Sequence, residues 1–89
     1  MKVTLGEEGL GKTWQAEFPK DVKCVHCKGV ARIAFVAHEH IDAVDRDGPW
    51  ACDLHSNQGK GGYWLHDCCA VAVYLCCDCL KPTALYNQG

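Results

Sequence analysis

The stretch CAVAVYLCCDC, residues 69–79, decides how this chain folds. Seven residues with side chains typical of β-strands lead directly into a Cys-x-x-Cys turn that runs from Cys76 to Cys79. A second turn of this kind, CVHC at residues 24–27, lies far upstream and opens another apolar run. The two turns supply four thiolates in two pairs, which is the ligand set of a tetrahedral structural zinc site.

The size and composition of the chain indicate that it needs a stabilising cross-link, either a disulfide or a bound metal. Its 89 residues form one small domain, residues 1–89, and a chain of this length buries only about 60–65% of its unfolded surface. Eight cysteines and five histidines offer either disulfides or metal ligands. Residues 1–8 lack the apolar core of a secretory signal, so metal in a reducing compartment is favoured over disulfides. We therefore expect a cytoplasmic protein.

The order of turns and strands explains how the four cysteines can meet. The first turn precedes a run at residues 30–37 that is apolar on both faces apart from Arg32, and the second follows the run at residues 69–76. If these strands pair antiparallel, the start of one lies beside the end of the other. Four ligands then converge at one end of a two-stranded ribbon: Cys24, Cys27, Cys76 and Cys79. We expect folding to be coupled to metal binding.

The segments CVHCKG at residues 24–29 and CCDCLKP at residues 76–82 resemble the two knuckles of a zinc ribbon. The resemblance covers about half of the chain and implies a three-stranded antiparallel sheet that holds one four-cysteine zinc. It is specific for the fold and not for the function. The chain departs from simpler ribbons in its long middle segment. We predict a small all-β, metal-stapled domain with a zinc-ribbon core at residues 22–37 and 69–82 and an insertion at residues 38–68.

Three residues in the knuckles are assigned no ligand role. Gly29 lies two places past Cys27 and is expected to permit the tight exit from the turn. His26 is flanked by thiolates that suit zinc better, so we expect it to be exposed or to shield the sulfurs. Cys77 faces away from Cys76 by strand alternation and is predicted to be a spare thiol.

Two further segments have strand character. Val3 and Leu5 alternate with polar neighbours, and apolar side chains alternate again at residues 14–18, beyond a glycine-rich turn. This pattern predicts a β-hairpin within residues 1–20. Residues 83–86 are expected to add one edge strand.

The glycine-rich turn matches a phosphate-binding pattern. GEEGLGKT at residues 6–13 fits G-x-x-x-x-G-K-[ST], in which backbone amides, a helix N-terminus and a lysine surround phosphate oxygens. Here Glu7 and Glu8 bring negative charge to that position, and the residues that follow alternate like a strand. We therefore interpret residues 6–13 as a turn and not as a nucleotide site.

A second metal site is predicted at the opposite end of the ribbon, because a seven-residue strand spans about 23 Å at ~3.3 Å per residue. His38 and His40 share a face of an extended backbone and are expected to gather there. The predicted ligands are Cys52, His55, His66 and Cys68, with Cys69 as an alternative. The competing interpretation is that these are ordinary loop and core residues. The protein would thus bind one zinc, or two.

The leading functional hypothesis is a binding module that presents residues 38–68 to a protein partner. The net charge is −2 and the nine Lys and Arg residues are scattered, which counts against the alternative, a nucleic-acid-binding zinc ribbon. A zinc-dependent enzyme is the third hypothesis, since Glu39, Asp53 and Asp67 could act as acids or bases. No His-Glu-x-x-His motif accompanies them, so we predict that the chain is not an enzyme. No apolar stretch approaches the ~20 residues that span a membrane.

Overall fold

The computed structural model describes residues 1–47, 50–53 and 68–88, with the backbone alone at Cys52. These residues form one antiparallel sheet with the order β1-β3-β4-β5, and β2 also pairs with β3. The five strands are β1 (Lys2–Leu5), β2 (Asp21–Lys23), β3 (Val30–His38), β4 (Cys69–Cys76) and β5 (Pro82–Gln88). Within these residues the only helical segments are short 3-10 turns at Gly6–Gly9, Ala43–Asp45 and Ala51–Asp53. The predicted small all-β fold is confirmed, and no helix in the described chain could span a membrane.

The antiparallel pair of β3 and β4 lies at the centre of the sheet. Ala31 pairs with Cys76 at one end and His38 pairs with Ala70 at the other, so the start of β3 lies beside the end of β4. The predicted pairing of these two strands is therefore confirmed. The expected edge strand at residues 83–86 is also present, and it extends over the whole of β5.

The predicted hairpin within residues 1–20 is wrong. β1 pairs with β3, with Lys2 opposite His38 and Leu5 opposite Phe35. Residues 14–18 form no strand. The apolar alternation of β1 was a correct sign of a strand, but a central strand with an open edge is a better partner than a short, Pro-terminated segment.

Residues 6–13 do not have the strand–loop–helix geometry of a phosphate-binding loop. The segment begins with a 3-10 turn, Gly6–Gly9, and no α-helix follows it among the described residues. The Lys12 ammonium group contacts both carboxylate oxygens of Asp42 at 3.3 Å. The lysine of the pattern is thus engaged by an acidic side chain.

One face of the sheet, here called the inner face, carries the core. Side chains from the two central strands are buried on it together with Leu10 and Phe18, which come from the segment between β1 and β2. The Tyr74 hydroxyl donates a hydrogen bond of 2.7 Å to the backbone oxygen of Pro19 and anchors that segment to β4. The sheet residues of this core are Ala31, Val36, Ala70, Ala72, Tyr74 and Cys76.

The opposite face, here called the outer face, is also apolar. Two rows of side chains cross β1, β3, β4 and β5 in register, namely Leu5, Phe35, Val73 and Ala84 in one row and Val3, Ala37, Val71 and Tyr86 in the other. A β-bulge between Ile33 and Phe35 places these two residues on opposite faces. Leu5 is 74% exposed and Tyr86 is 57% exposed, so the outer face is open to solvent.

Candidate metal centre

The four cysteines of the two knuckles meet at one end of the β3–β4 pair. The Sγ atoms of Cys24 and Cys79 lie 3.7 Å apart, and those of Cys27 and Cys76 lie 3.4 Å apart. All four Sγ atoms lie within 4.8 Å of one another. A tetrahedron with Zn–S bonds of about 2.3 Å has edges of ~3.8 Å. The sulfurs therefore already have the spacing that a four-coordinate zinc requires.

The two knuckles have the same backbone hydrogen bonds. The amide of Lys28 donates to the oxygen of Cys24 at 3.1 Å, and the amide of Leu80 donates to the oxygen of Cys76 at 3.1 Å. The residue after the second cysteine is left-handed in both turns, with φ of 68° at Lys28 and 64° at Leu80. Each turn thus reverses the chain in four residues and aims two sulfurs at one point.

The role expected for Gly29 needs a correction. The left-handed residue in this turn is Lys28, so Gly29 is not there to supply a positive φ. A Cβ at Gly29 would overlap the Asp78 carboxylate and would lie 3.3 Å from the Cys27 sulfur. A larger residue at this position would have to displace the exposed Asp78 side chain of the other knuckle, which approaches closely here.

Backbone amides stabilise negative charge on the first sulfur of each knuckle. The amides of Cys27 and His26 lower the pKa of the Cys24 thiol to about 6, and the His26 amide donates to this sulfur at 3.3 Å. The amides of Cys79 and Asp78 lower the pKa of Cys76 in the same way. Both groups are buried, so these amides favour the thiolate despite the loss of solvation.

The pKa of the second sulfur of each knuckle is shifted in the opposite direction. The Gly29 amide acts to lower the pKa of Cys27, but the neighbouring sulfurs of Cys76 and Cys79 outweigh it and raise this pKa to about 12. The Lys81 amide acts to lower the pKa of Cys79, but burial and the sulfurs of Cys76 and Cys24 outweigh it, and this pKa is also raised. Each short S···S contact thus joins a sulfur whose pKa is lowered to one whose pKa is raised. A divalent cation at the centre would displace the protons that remain.

Four protein ligands leave a tetrahedral ion no open position for water or substrate. Two of the sulfurs are fully buried, Cys79 is half-buried and Cys27 is exposed at the surface. His26 is exposed, as expected, and its Nε2 contacts the Pro82 oxygen at 3.1 Å instead of the cluster. Cys77 is exposed and is not one of the four cluster cysteines. The arrangement suits a structural ion better than a catalytic one.

The left-handed leucine of the second knuckle leads to a stability prediction. Leu80 is 76% exposed, so its side chain gains little from packing while its backbone is strained. We expect Leu80→Gly to raise the free energy of unfolding by about 1 kcal/mol, measured by urea denaturation of the metal-loaded protein. Val25→Gly changes an exposed residue of the other knuckle that is not left-handed, and it should lower that free energy. Equal effects of both substitutions would contradict the explanation.

Comparisons of the chain with protein-family models, with curated proteins and with solved structures find no match. The description of this centre therefore rests on the geometry of the sulfur cluster and on the sheet topology.

Most of the predicted second site lies outside the described residues. This applies to His55, His66 and the side chain of Cys52. Cys68 and Cys69 are buried at the end of β4 that lies away from the four-cysteine cluster. They are at the end of the ribbon where the second site was expected, but the site itself stays a prediction.

The expectation that His38 and His40 share a face is wrong. β3 ends at His38, and His40 is left-handed with φ of 60°. The His40 ring instead lies 5.2 Å from the ring of Trp50, measured between centroids. The two histidines therefore have separate environments.

His38 is fully buried and both of its ring nitrogens are engaged. Nδ1 lies 2.6 Å from an Asp45 carboxylate oxygen and Nε2 lies 2.8 Å from the Thr4 hydroxyl. His38, Asp42 and Asp45 also bring three potential ligand atoms within 4.8 Å of one another. His38 pairs with Asp45 and Lys12 pairs with Asp42. We therefore interpret the group as structural contacts that hold β1 and the turn after β3 against β3.

Glu39 has a structural role that the sequence did not reveal. Its side chain is fully buried, and its two carboxylate oxygens accept hydrogen bonds from the amides of Ala51, at 2.5 Å, and Cys69, at 2.9 Å. The carboxylate considered above as a possible catalytic acid thus ties the inserted segment to β4. The sequence offered a single hint of this role, namely the position of Glu39 between two histidines directly after an apolar run.

The His38–Asp45 pair predicts a pH dependence. Burial acts to raise the pKa of Asp45, but the hydrogen bond from His38 outweighs it and the pKa is lowered. A lowered pKa stabilises the fold above the unfolded value of about 4, and this contribution is lost as the pH falls through the folded value. We expect Asp45→Asn to cost about 1–3 kcal/mol at pH 7 and progressively less below pH 4.

The measurement is urea denaturation of both zinc-loaded proteins from pH 7 down to the lowest pH at which zinc stays bound and both remain folded, with the variant compared with the parent at each pH. Asp47 is exposed, and Asp47→Asn serves as the matched control. A difference between Asp45→Asn and the parent that does not change with pH would refute this role of the pair.

Proposed function

We propose that the chain is a structural-zinc module of the zinc-ribbon type that acts through contact with another protein. The observation that carries the metal assignment is the set of four Sγ atoms within 4.8 Å of one another, contributed by two turns of the same geometry. Sulfur ligands in a tetrahedral set favour zinc over magnesium and calcium, which prefer oxygen. Thiols that bind zinc must remain reduced, and this supports the cytoplasm as the location.

The zinc would close one end of the β3–β4 pair, and the inserted segment lies at the opposite end. Residues 38–68 leave the sheet at the end of β3 and return at the start of β4. In this proposal the zinc and the β3–β4 pair form a rigid base, and the inserted segment contacts the partner. Loops held by a rigid scaffold commonly carry binding residues.

The charge distribution supports a protein partner over a nucleic acid. The net charge is −2, and both rows of the outer face contain no charged side chain. Binding to phosphates needs a concentration of Lys and Arg. We expect the zinc-loaded protein to pass through a DNA or RNA column at low salt, and retention that falls as salt rises would favour the nucleic-acid alternative.

Cobalt titration of the reduced, metal-free protein tests the metal assignment. We expect one equivalent of Co²⁺ to give the strong visible absorption of a tetrahedral ion together with thiolate-to-metal charge transfer, and zinc to displace it. A weak spectrum typical of six-coordinate cobalt would contradict the four-cysteine site. A second equivalent that is lost in Cys52→Ser would support the second predicted site.

A further inference from the structure

The outer face has the composition of a buried surface. Its two rows contain eight side chains from four strands, and all eight are apolar. Strands that are apolar on both faces are typical of sheets covered on both sides. Here the segment containing Leu10 and Phe18 packs on the inner face, whereas Val3, Leu5 and Tyr86 are more than half exposed on the outer face.

The area of this face is large for so small a domain. The two rows span four strands about 4.8 Å apart and about four residues along each strand at ~3.3 Å per residue, which gives roughly 250 Å² in projection, and the accessible area of the upright side chains is larger. A contiguous apolar patch of roughly 300–600 Å² is as large as the largest patch on a typical monomer and is often functional. The outer face is therefore expected to be covered in the working state of the protein.

The shape and charge of the face suit a second copy of the same chain. The two central strands present Phe35, Ala37, Val71 and Val73, a mainly small and half-buried set on a continuous sheet. Two such sheets can stack about 10 Å apart. Because the rows carry no charge, a two-fold axis brings no like charges together across the interface.

The nearest charges at the knuckle end have opposite signs. Arg32 on β3 lies opposite Asp21 on β2. This pair borders the apolar rows on the side of Leu75, which lies opposite Arg32 on β4 and is itself exposed. A polar rim around an apolar centre is the usual layout of a protein interface.

We propose that the outer face is a self-association surface on which two copies of this chain pack sheet against sheet around a two-fold axis. The inference rests on the proposed function in that zinc must hold the sheet together. With roughly 250 Å² in projection from each copy, the contact is smaller than the ~800 Å² that a standard specific interface buries on each partner, so we expect a weak, reversible dimer.

Sedimentation equilibrium of the zinc-loaded protein tests the proposal, after metal content and circular dichroism have shown that the protein is loaded and folded. We expect a monomer–dimer equilibrium between about 10 μM and 1 mM. Leu5→Lys and Tyr86→Lys place a charge at opposite edges of the face, and each should weaken the dimer by more than about tenfold because an ammonium group would lose hydration in an apolar contact. Both sites are well exposed in the monomer, so folding should be preserved.

Val44→Lys is the matched control. Val44 is 73% exposed, against 74% for Leu5, but it belongs to the 3-10 turn Ala43–Asp45 and not to the sheet. It changes the net charge equally and should leave the dimer unaffected. NOEs between Val71 and Val73 methyl groups of differently labelled copies would support the sheet-on-sheet geometry.

Three results would overturn the proposal. The first is a protein that is folded and loaded but monomeric throughout this range, including one that binds phosphatidylcholine vesicles instead. The second is open-ended association beyond the dimer, because a two-fold contact closes on itself. The third is equal weakening by Val44→Lys. A protein that fails to bind zinc or to fold contradicts the proposed function and is recognised before sedimentation.

Discussion

We expect the zinc-loaded protein to lose its sheet when a strong chelator removes the metal under reducing conditions. Structural zinc contributes an apparent binding free energy of about 10–16 kcal/mol in small domains, and the total stability of a domain is about 5–15 kcal/mol. In the part of the chain that the structure describes, the core offers little to replace it, since the largest fully buried apolar side chains there are Tyr74 and Val36. Far-ultraviolet circular dichroism and amide proton dispersion in NMR spectra report the loss.

The chelation result requires two controls. Returning one equivalent of Zn²⁺ should restore the sheet, which separates metal loss from irreversible damage. The same amount of Mg²⁺ should not restore it, because magnesium prefers oxygen ligands. A protein that keeps its circular dichroism and its thermal transition after complete removal of zinc would show that the sulfur cluster is not needed for folding.

We expect Cys76→Ser to lose tight zinc binding and with it the folded state. The Cys76 sulfur is buried, lies 3.4 Å from the Cys27 sulfur and accepts hydrogen bonds from the amides of Asp78 and Cys79. A serine hydroxyl remains protonated and is a poor ligand for zinc, so one of four bonds is lost. We expect the substitution to remove several kcal/mol of the ~10–16 kcal/mol that zinc contributes.

The neighbouring residue supplies the control for Cys76→Ser. Cys77 is exposed and lies next to Cys76 in the chain but outside the cluster, so Cys77→Ser makes the same chemical change without removing a ligand. Zinc content and thermal denaturation of the two variants are then compared. Equal losses in both would indicate that the local backbone, and not the thiolate, is responsible.

The central strand pair and its sulfur cluster could be predicted because spacing and topology agree. A Cys-x-x-Cys turn before one apolar run and another after a second run can meet only if the runs pair antiparallel, and β3 and β4 do so. The edge strand β5 follows from its composition in the same way. These features are local in the sequence or are fixed by a ligand set of known geometry.

Other features depend on contacts that no local pattern contains. The alternation at Val3 and Leu5 indicates a strand, but the choice of β3 as partner depends on which edge remains open after β4 has paired. The separate positions of His38 and His40 follow from a left-handed residue at the end of β3. The buried carboxylate of Glu39 bonds to amides that are distant in the sequence, so its partners could not be deduced from neighbouring residues.

The two ends of the β3–β4 pair are fastened by different chemistry, with sulfurs at one end and the buried acids Glu39 and Asp45 at the other. The protein therefore has two separate places at which it can begin to open. A thiol oxidant would separate the strands from the end at Ala31 and Cys76, whereas strong acid would act on both fastenings at once. Residue-resolved hydrogen exchange would show this as a gradient of protection whose direction depends on the reagent.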